Sequence, residues 1–212
     1  IHELCHQWFY GLVASNEHTS PVLDEGLTSY AEGRLLREAY GAGSALAWPG
    51  LPLSMDALRR AHAAAHVHDD VVTQPAPAFS DFSSLGALVY AKTAVTLDTI
   101  ARTHGEAALD RALGRYAREH RFGHPRFDAL VRAVELEVGP DAARQLDLAL
   151  EERGWVNYVA EVPRCTAAPE FPPVDPGADY GQPRTVCRAL VRRHGTLRFP
   201  VEIELFFADG SR

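Results

Sequence analysis

The chain has 212 residues, 46% of them apolar and 23% charged, with 21 basic against 28 acidic side chains and a net charge of −7. That length holds one good-sized domain with a small appendage, the apolar fraction suits an ordinary globular protein, and the acidic balance argues against nucleic acid as a partner. No apolar run is long and clean enough to span a membrane, and no leader peptide is recognisable. The chain opens without Met, one residue before a motif, and so reads as a piece of a longer polypeptide with domains upstream and downstream.

That motif is His2-Glu3-Leu4-Cys5-His6, and it leads into the apolar run Gln7-Trp8-Phe9-Tyr10-Gly11-Leu12-Val13. Residues four apart on a helix share a face, so His2 and His6 can aim ring nitrogens at one point, as two ligands of a zinc ion. Glu3 lies beside them and has the place of a general base. Cys5 falls off the ligand face and reads as a small buried residue.

Catalytic zinc sites usually take three protein ligands and keep one position open. The third candidate is Glu25. The polar stretch Ala14 to Thr19 lets the chain turn, Ser20 reads as an N-cap, and Pro21 reads as the first residue of a helix running to Tyr40, stopped by Gly41-Ala42-Gly43. Glu25 then sits in the opening turns of a helix that can pack on the first. Glu32 follows two turns later on the same face. It can hold a ligand imidazole in one tautomer or simply pair with Arg34 or Arg37.

His2-Glu3-x-x-His6, eighteen residues, then Glu25 within Asp24-Glu25-Gly26-Leu27-Thr28-Ser29-Tyr30 resembles the gluzincin signature of the M1 metallopeptidases, the aminopeptidase N and leukotriene A4 hydrolase family. There the runs are typically H-E-x-x-H-Q-W-F-G and N-E-G-F-A-x-Y-x-E. Gln7-Trp8-Phe9, Glu25-Gly26, Tyr30 and Glu32 match. Tyr10 replaces the usual Gly, Asp24 the usual Asn, and Cys5 the commonest Ala. The resemblance implies a mainly α fold: a thermolysin-like helical catalytic lobe followed by the start of a small β-sandwich domain. It implies one Zn2+, peptide substrates and removal of N-terminal residues, with Asp24 and Glu32 supporting the ligands. In that family exopeptidase choice depends on a G-x-M-E-N segment upstream of the zinc motif, which this chain does not contain. A thermolysin-like endopeptidase, or a non-catalytic scaffold derived from a metallopeptidase, remain the alternatives.

Trp48-Pro49-Gly50-Leu51-Pro52 reads as a loop, after which Ser54 caps a helix from Met55 to about His66. This helix carries a rival metal pattern, His62-x-x-x-His66-x-His68-Asp69-Asp70. It lacks an acidic base, and Ala63-Ala64-Ala65 provides no polar surround, so an exposed His-rich helix end is the simpler reading. Residues 71 to 83 form a loop, and a helix runs from Leu85 to about Thr103. Within it Val89-Tyr90-Ala91-Lys92 resembles the M1 family's Y-E-K-G segment, which implies that Tyr90 donates its hydroxyl to the developing oxyanion.

From Gly105 apolar residues recur at three and four spacing over Glu106–His120, Phe127–Val138 and Asp141–Arg153, an array of helices. Arg111, Arg115, Arg118 and Arg121 read as a solvated face. The domain scheme is a lobe over 1–160, a Pro- and Gly-rich linker over 161–184, and a β fragment over 185–212. In that fragment Val186, Arg188, Leu190 and Arg192 alternate, and a turn at His194-Gly195-Thr196 leads to Val201, Ile203 and Leu205, an expected hairpin. Cys165 and Cys187 flank the linker and can bridge, which would imply an oxidising compartment and so a secreted or membrane-anchored protein.

Overall fold

The computed structural model describes residues 1–41, 45–167, 185–201, 203, 204 and 206. The chain is mainly α. Helix α1 is the single turn His2–Cys5, α2 is Glu25–Tyr40 and α3 is Met55–His66. A continuous helical rod comes next: α4 (Phe82–Leu85), a π-helical stretch Gly86–Lys92 and α5 (Thr93–His104). Then come α6 (Glu106–Glu119), α7 (Phe127–Glu137) and α8 (Pro140–Glu151). The expected helices are present with ends within a few residues, and α3 has its expected bounds. Ser54 caps α3 by accepting the Ala57 amide at 3.1 Å.

Two starts differ from expectation. The polar break before α2 does not open directly into an α-helix: Pro21–Leu23 forms a 3₁₀ turn, with Val22 and Leu23 buried, and α-helical bonding begins at Glu25. The Leu85–Thr103 helix starts earlier, at Phe82, because Asp81 caps it by accepting the Ser84 amide at 2.7 Å.

The strands are short and antiparallel. β1 (Leu46–Trp48) and β2 (Leu51–Leu53) make a hairpin where the Pro-Gly composition suggested a loop. β3 (Tyr158–Ala160) pairs with β6 (Val191–Arg193), and β4 (Arg164–Ala167) pairs with β5 (Thr185–Arg188). The expected hairpin of 186–192 with 201–205 does not form among the described residues. Alternation marks a strand but leaves its partner open. Here Cys165 stands opposite Cys187 in the β4–β5 register, and the two are disulfide-bonded. β4 lies within the stretch read as a linker, most of which (168–184) is outside the described residues.

Contacts divide the chain into two units, Val156–Thr196 and the remainder. The larger unit is the helical one. α5 packs on α2, α6 and α8, and α6 and α8 flank α7. Leu27, Leu88, Leu97, Ile100, Leu109, Leu130, Leu146 and Leu150 are fully buried there, and Leu197 and Phe199 join the same core. No helix among the described residues is long and apolar enough to cross a membrane.

Two backbone details shape the front of the helical unit. At Gly26 in α2 a Cβ would come within 2.7 Å of the Thr93 methyl and 3.0 Å of the Val89 carbonyl, so the absent side chain lets α2 close against the π-helical stretch. Immediately after the first motif the chain turns sharply, and Tyr10 takes φ 105°. A bulky residue there is strained, by about 1–3 kcal/mol.

Gly26→Ala therefore lowers stability by about 1–3 kcal/mol through overpacking. Adding Thr93→Ser, which removes the obstructing methyl, recovers part of it, as paired thermal melts would show by non-additivity. Tyr10 is exposed, so little burial is lost on replacing it. Tyr10→Gly raises stability by about 0.5–2 kcal/mol, the strain relieved less the entropy of Gly. A melting temperature that falls instead would remove the strain assignment.

Candidate metal centre

Helix α1 is one turn long, yet that is enough for the pair. His6 is its C-cap with φ −62° and ψ −12°, so the helical path still holds at the second histidine. The rings sit 4.9 Å apart, edge to face. The chain then leaves the helix: the Gly11 amide donates to the His6 carbonyl at 2.7 Å, Val13 to Trp8 at 3.0 Å, and Phe122 to Leu12 at 2.8 Å. Phe9 and Val13 are buried beneath this turn.

α2 and its N-cap residue Asp24 bring three carboxylates to α1. Glu25 Oε2 lies 3.0 Å from His2 Nε2 and 3.4 Å from His6 Nε2. The donor atoms of His2, His6 and Glu25 fall within 4.8 Å of one another, the one such three-residue group among the described residues. Behind the rings stand the other two acids. Glu32 Oε2 is 3.5 Å from His2 Nδ1, and Asp24 Oδ1 is 2.7 Å from His6 Nδ1. The Asp24 approach is an ion contact; the aligned hydrogen bond from His6 Nδ1 goes to the Phe9 carbonyl at 3.2 Å, with the Thr28 hydroxyl also at 3.2 Å. Each imidazole thus has its Nδ1 engaged and its Nε2 facing Glu25.

The charges reflect this crowding. Burial raises the Asp24 carboxyl to about 6, with Glu25 adding to the shift and His6 opposing it. Burial works against charge on His6, but the Phe9 carbonyl and the Asp24 and Glu25 carboxylates outweigh it, and its pKa is raised. Tyr90, from the π-helical stretch, stacks on His2 with ring centroids 5.9 Å apart. Burial, and then its hydrogen bond to Glu25, push the phenol well above its usual range, so it keeps its proton at neutral pH.

Of the residues expected from sequence, His2, His6, Glu25, Asp24, Glu32 and Tyr90 come together. Glu3 is exposed next to His2 on α1 and pairs with no described residue. Cys5 is buried, and burial first, then Glu32, raises its thiol. Lys92 is buried away from the donors and donates a hydrogen bond to the Glu152 carbonyl at 3.0 Å, tying the π-helical stretch to the end of α8. Burial lowers it to about 8. In the rival pattern, both ring nitrogens of His66 are taken, by Asp69 at 2.7 Å and the Ser83 hydroxyl at 3.2 Å. Two residues went unforeseen: Thr28, whose place one turn after Asp24 is a usable signal, and Arg59, which bonds Glu32 at 2.7 Å and carries no signal in its own segment.

The arrangement can accept a divalent cation between two imidazoles and a carboxylate, with a phenol stacked on one of the imidazoles. A family model described as the peptidase family M1 domain matches residues 1–149. Aminopeptidase N of Streptomyces lividans is 27% identical over 161 residues, 73% of this chain and 18% of that protein. Among solved structures, an M1 zinc metallopeptidase from Deinococcus radiodurans is 23% identical over 86% of this chain and 34% of its own, with a TM-score of 0.56. A mutant M1 zinc metallopeptidase from the same organism, bound to a Tyr-Ser-Ala substrate, is 24% identical over 72% of this chain and 32% of its own, with a TM-score of 0.55. The chain thus spans about a fifth of the curated relative and about a third of the solved structures, and the structural likeness establishes a shared fold. With the family model covering more than half of its residues, the chain belongs to peptidase family M1.

Proposed function

We propose that this protein is a zinc-dependent peptidase that removes N-terminal residues from peptides, with His2, His6 and Glu25 as the zinc ligands. The convergence of these three donors carries the reading. Two atoms bound about 2.0–2.1 Å from a tetrahedral zinc ion lie about 3.3 Å apart. The separations of Glu25 Oε2 from the two Nε2 atoms, 3.0 and 3.4 Å, bracket that value. Two neutral nitrogens and one carboxylate oxygen also match a donor set zinc prefers for catalysis.

A bound zinc ion supplies Lewis acidity toward the scissile carbonyl and acidifies water. The chain's own groups do the rest. Glu3, exposed and free of partners among the described residues, takes the proton from the attacking water and returns it to the leaving amine. Tyr90, kept protonated by its surroundings, donates to the carbonyl oxygen as negative charge builds there. Asp24 and the Phe9 carbonyl hold His6, and Glu32 holds His2, each in the tautomer that leaves Nε2 toward the centre. The likeness to aminopeptidase N supports the exopeptidase choice. The disulfide in β4–β5 supports an oxidising compartment.

In the zinc-loaded protein Glu3→Gln retains one zinc by elemental analysis and loses hydrolysis by about 10²–10⁴-fold. Turnover at the parent rate would reject Glu3 as the base. Peptides with a free amino terminus are cleaved and the same peptides N-acetylated are not. Equal cleavage of both, measured by product chromatography, would replace the aminopeptidase assignment with an endopeptidase.

A further inference from the structure

The metal centre draws on α1 and on the facing side of α2, but it leaves a largely enclosed arginine unused. Arg59 comes from α3, outside the signature segments, and its side chain is only 11% exposed. Its Nη2 donates to Glu32 Oε2 at 2.7 Å. That same oxygen stands 3.5 Å from His2 Nδ1. One carboxylate oxygen therefore joins a guanidinium on α3 to an imidazole on α1.

The path of Arg59 is built for this contact. A Cβ at Gly33 would lie 2.3 Å from Arg59 Nη1, so the guanidinium crosses α2 at a position where no side chain stands. Neighbouring cations have other employment: Arg37 binds Asp56 and Asp98, Arg34 binds Asp110 and Glu106, and Arg60 and Arg102 reach Asp98. Among the described residues Arg59 is the cation bonded to Glu32. Without it, a half-buried carboxylate beside Cys5 would be free to turn toward solvent and leave His2 Nδ1 without a partner.

We infer that Arg59 is a positioning residue for the metal centre: it holds Glu32 against His2 Nδ1, and Glu32 in turn fixes the ring so that Nε2 faces the ion. The inference rests on the proposed zinc ligation by His2, His6 and Glu25. Partners behind a ligand imidazole set its orientation and basicity, and losing one typically weakens metal affinity about 10- to 100-fold. Arg59 touches neither substrate nor metal, so its effect appears in metal affinity and in the state of the His2 ring.

Two variants separate this role from general stabilisation. Arg59→Met removes the guanidinium. Gly33→Ala leaves every charge in place and only pushes the flexible end of Arg59 aside, without backbone cost. Zinc affinity is read by competition with a chromogenic chelator, and folding by thermal melts of the metal-free protein. Both variants bind zinc about 10- to 100-fold more weakly than the parent, and the double variant is no weaker than the worse single one, since both break one contact. Arg60→Met, which cuts only a contact to Asp98, leaves zinc affinity unchanged. In the zinc-loaded protein the imidazole Nδ1 proton resonance of His2 moves in Gly33→Ala, a change that a purely structural role for Arg59 would not produce. A parent that binds one zinc, with folded Gly33→Ala binding it equally well and its resonance unmoved, overturns the inference and leaves the metal centre standing. A parent that binds no zinc overturns the centre itself, and the role of Arg59 with it.

Discussion

An imidazole presents one chosen nitrogen to a centre only when the other nitrogen is tied down. The front of this molecule is arranged around that constraint. His2 and His6 come from a single helical turn too short to hold itself in water. What fixes the rings is α2 with its N-cap residue, which supply Glu25 between the two Nε2 atoms, Asp24 behind one ring and Glu32 behind the other. One helix with its cap thus furnishes both the donor in front and the restraints at the back. The close approach at Gly26 then presses this helix against the π-helical stretch and sets Tyr90 over His2. A π-helical turn inside a longer helix shifts the face it presents, and such turns are frequent at functional sites. Here it lets one rod bury Leu88 and Val89 and still deliver a phenol to the donors.

The electrostatics give the arrangement its direction. Three carboxylates gathered around two imidazoles repel one another: the Asp24 carboxyl, raised first by burial, is raised further by Glu25. A cation among the Nε2 and Oε2 atoms would relieve it, lowering the cost of ionising Asp24 and Glu25 together. Arg59 neutralises the third acid from behind. Glu25 therefore stands in front, open to a divalent ion, while behind the rings Glu32 is matched by a fixed cation and Asp24 faces His6.

What the sequence disclosed depended on how local the cause was. The spacing of His2 and His6, the helical segment carrying Glu25 and the apolar periodicity of α6 to α8 are local patterns that the folded chain keeps, whereas the cap read at Ser20 makes no side-chain bond and leads into a 3₁₀ turn. Tyr90 required likeness to a known segment, because a tyrosine on an amphipathic helix looks the same whether it lies in a core or beside a metal. The π-helical stretch was invisible, since seven residues are too few for their period to depart from that of an α-helix. Strand partners were hidden for a different reason: alternation repeats in every candidate, and the register went with the Cys165–Cys187 pairing. Arg59 lies 27 positions from Glu32 in a segment with many charges, so only three-dimensional proximity singles it out.

Tyr10 shows how a departure from the family pattern is accommodated. Where the family pattern has glycine, Tyr10 takes a φ of 105°, which glycine adopts freely and tyrosine does not. The turn has to occur there all the same, because His6 must be the last residue on the helical path while Phe9 and Val13 go into the core a few residues on. Burial of those two side chains is worth about 1.5–3 kcal/mol each, and the bonds to Phe122 and Gly123 brace the same segment from outside. Those contributions exceed the strain of one residue, so the turn survives the substitution. The ligand pair keeps its place because the fold over-determines the backbone beyond it.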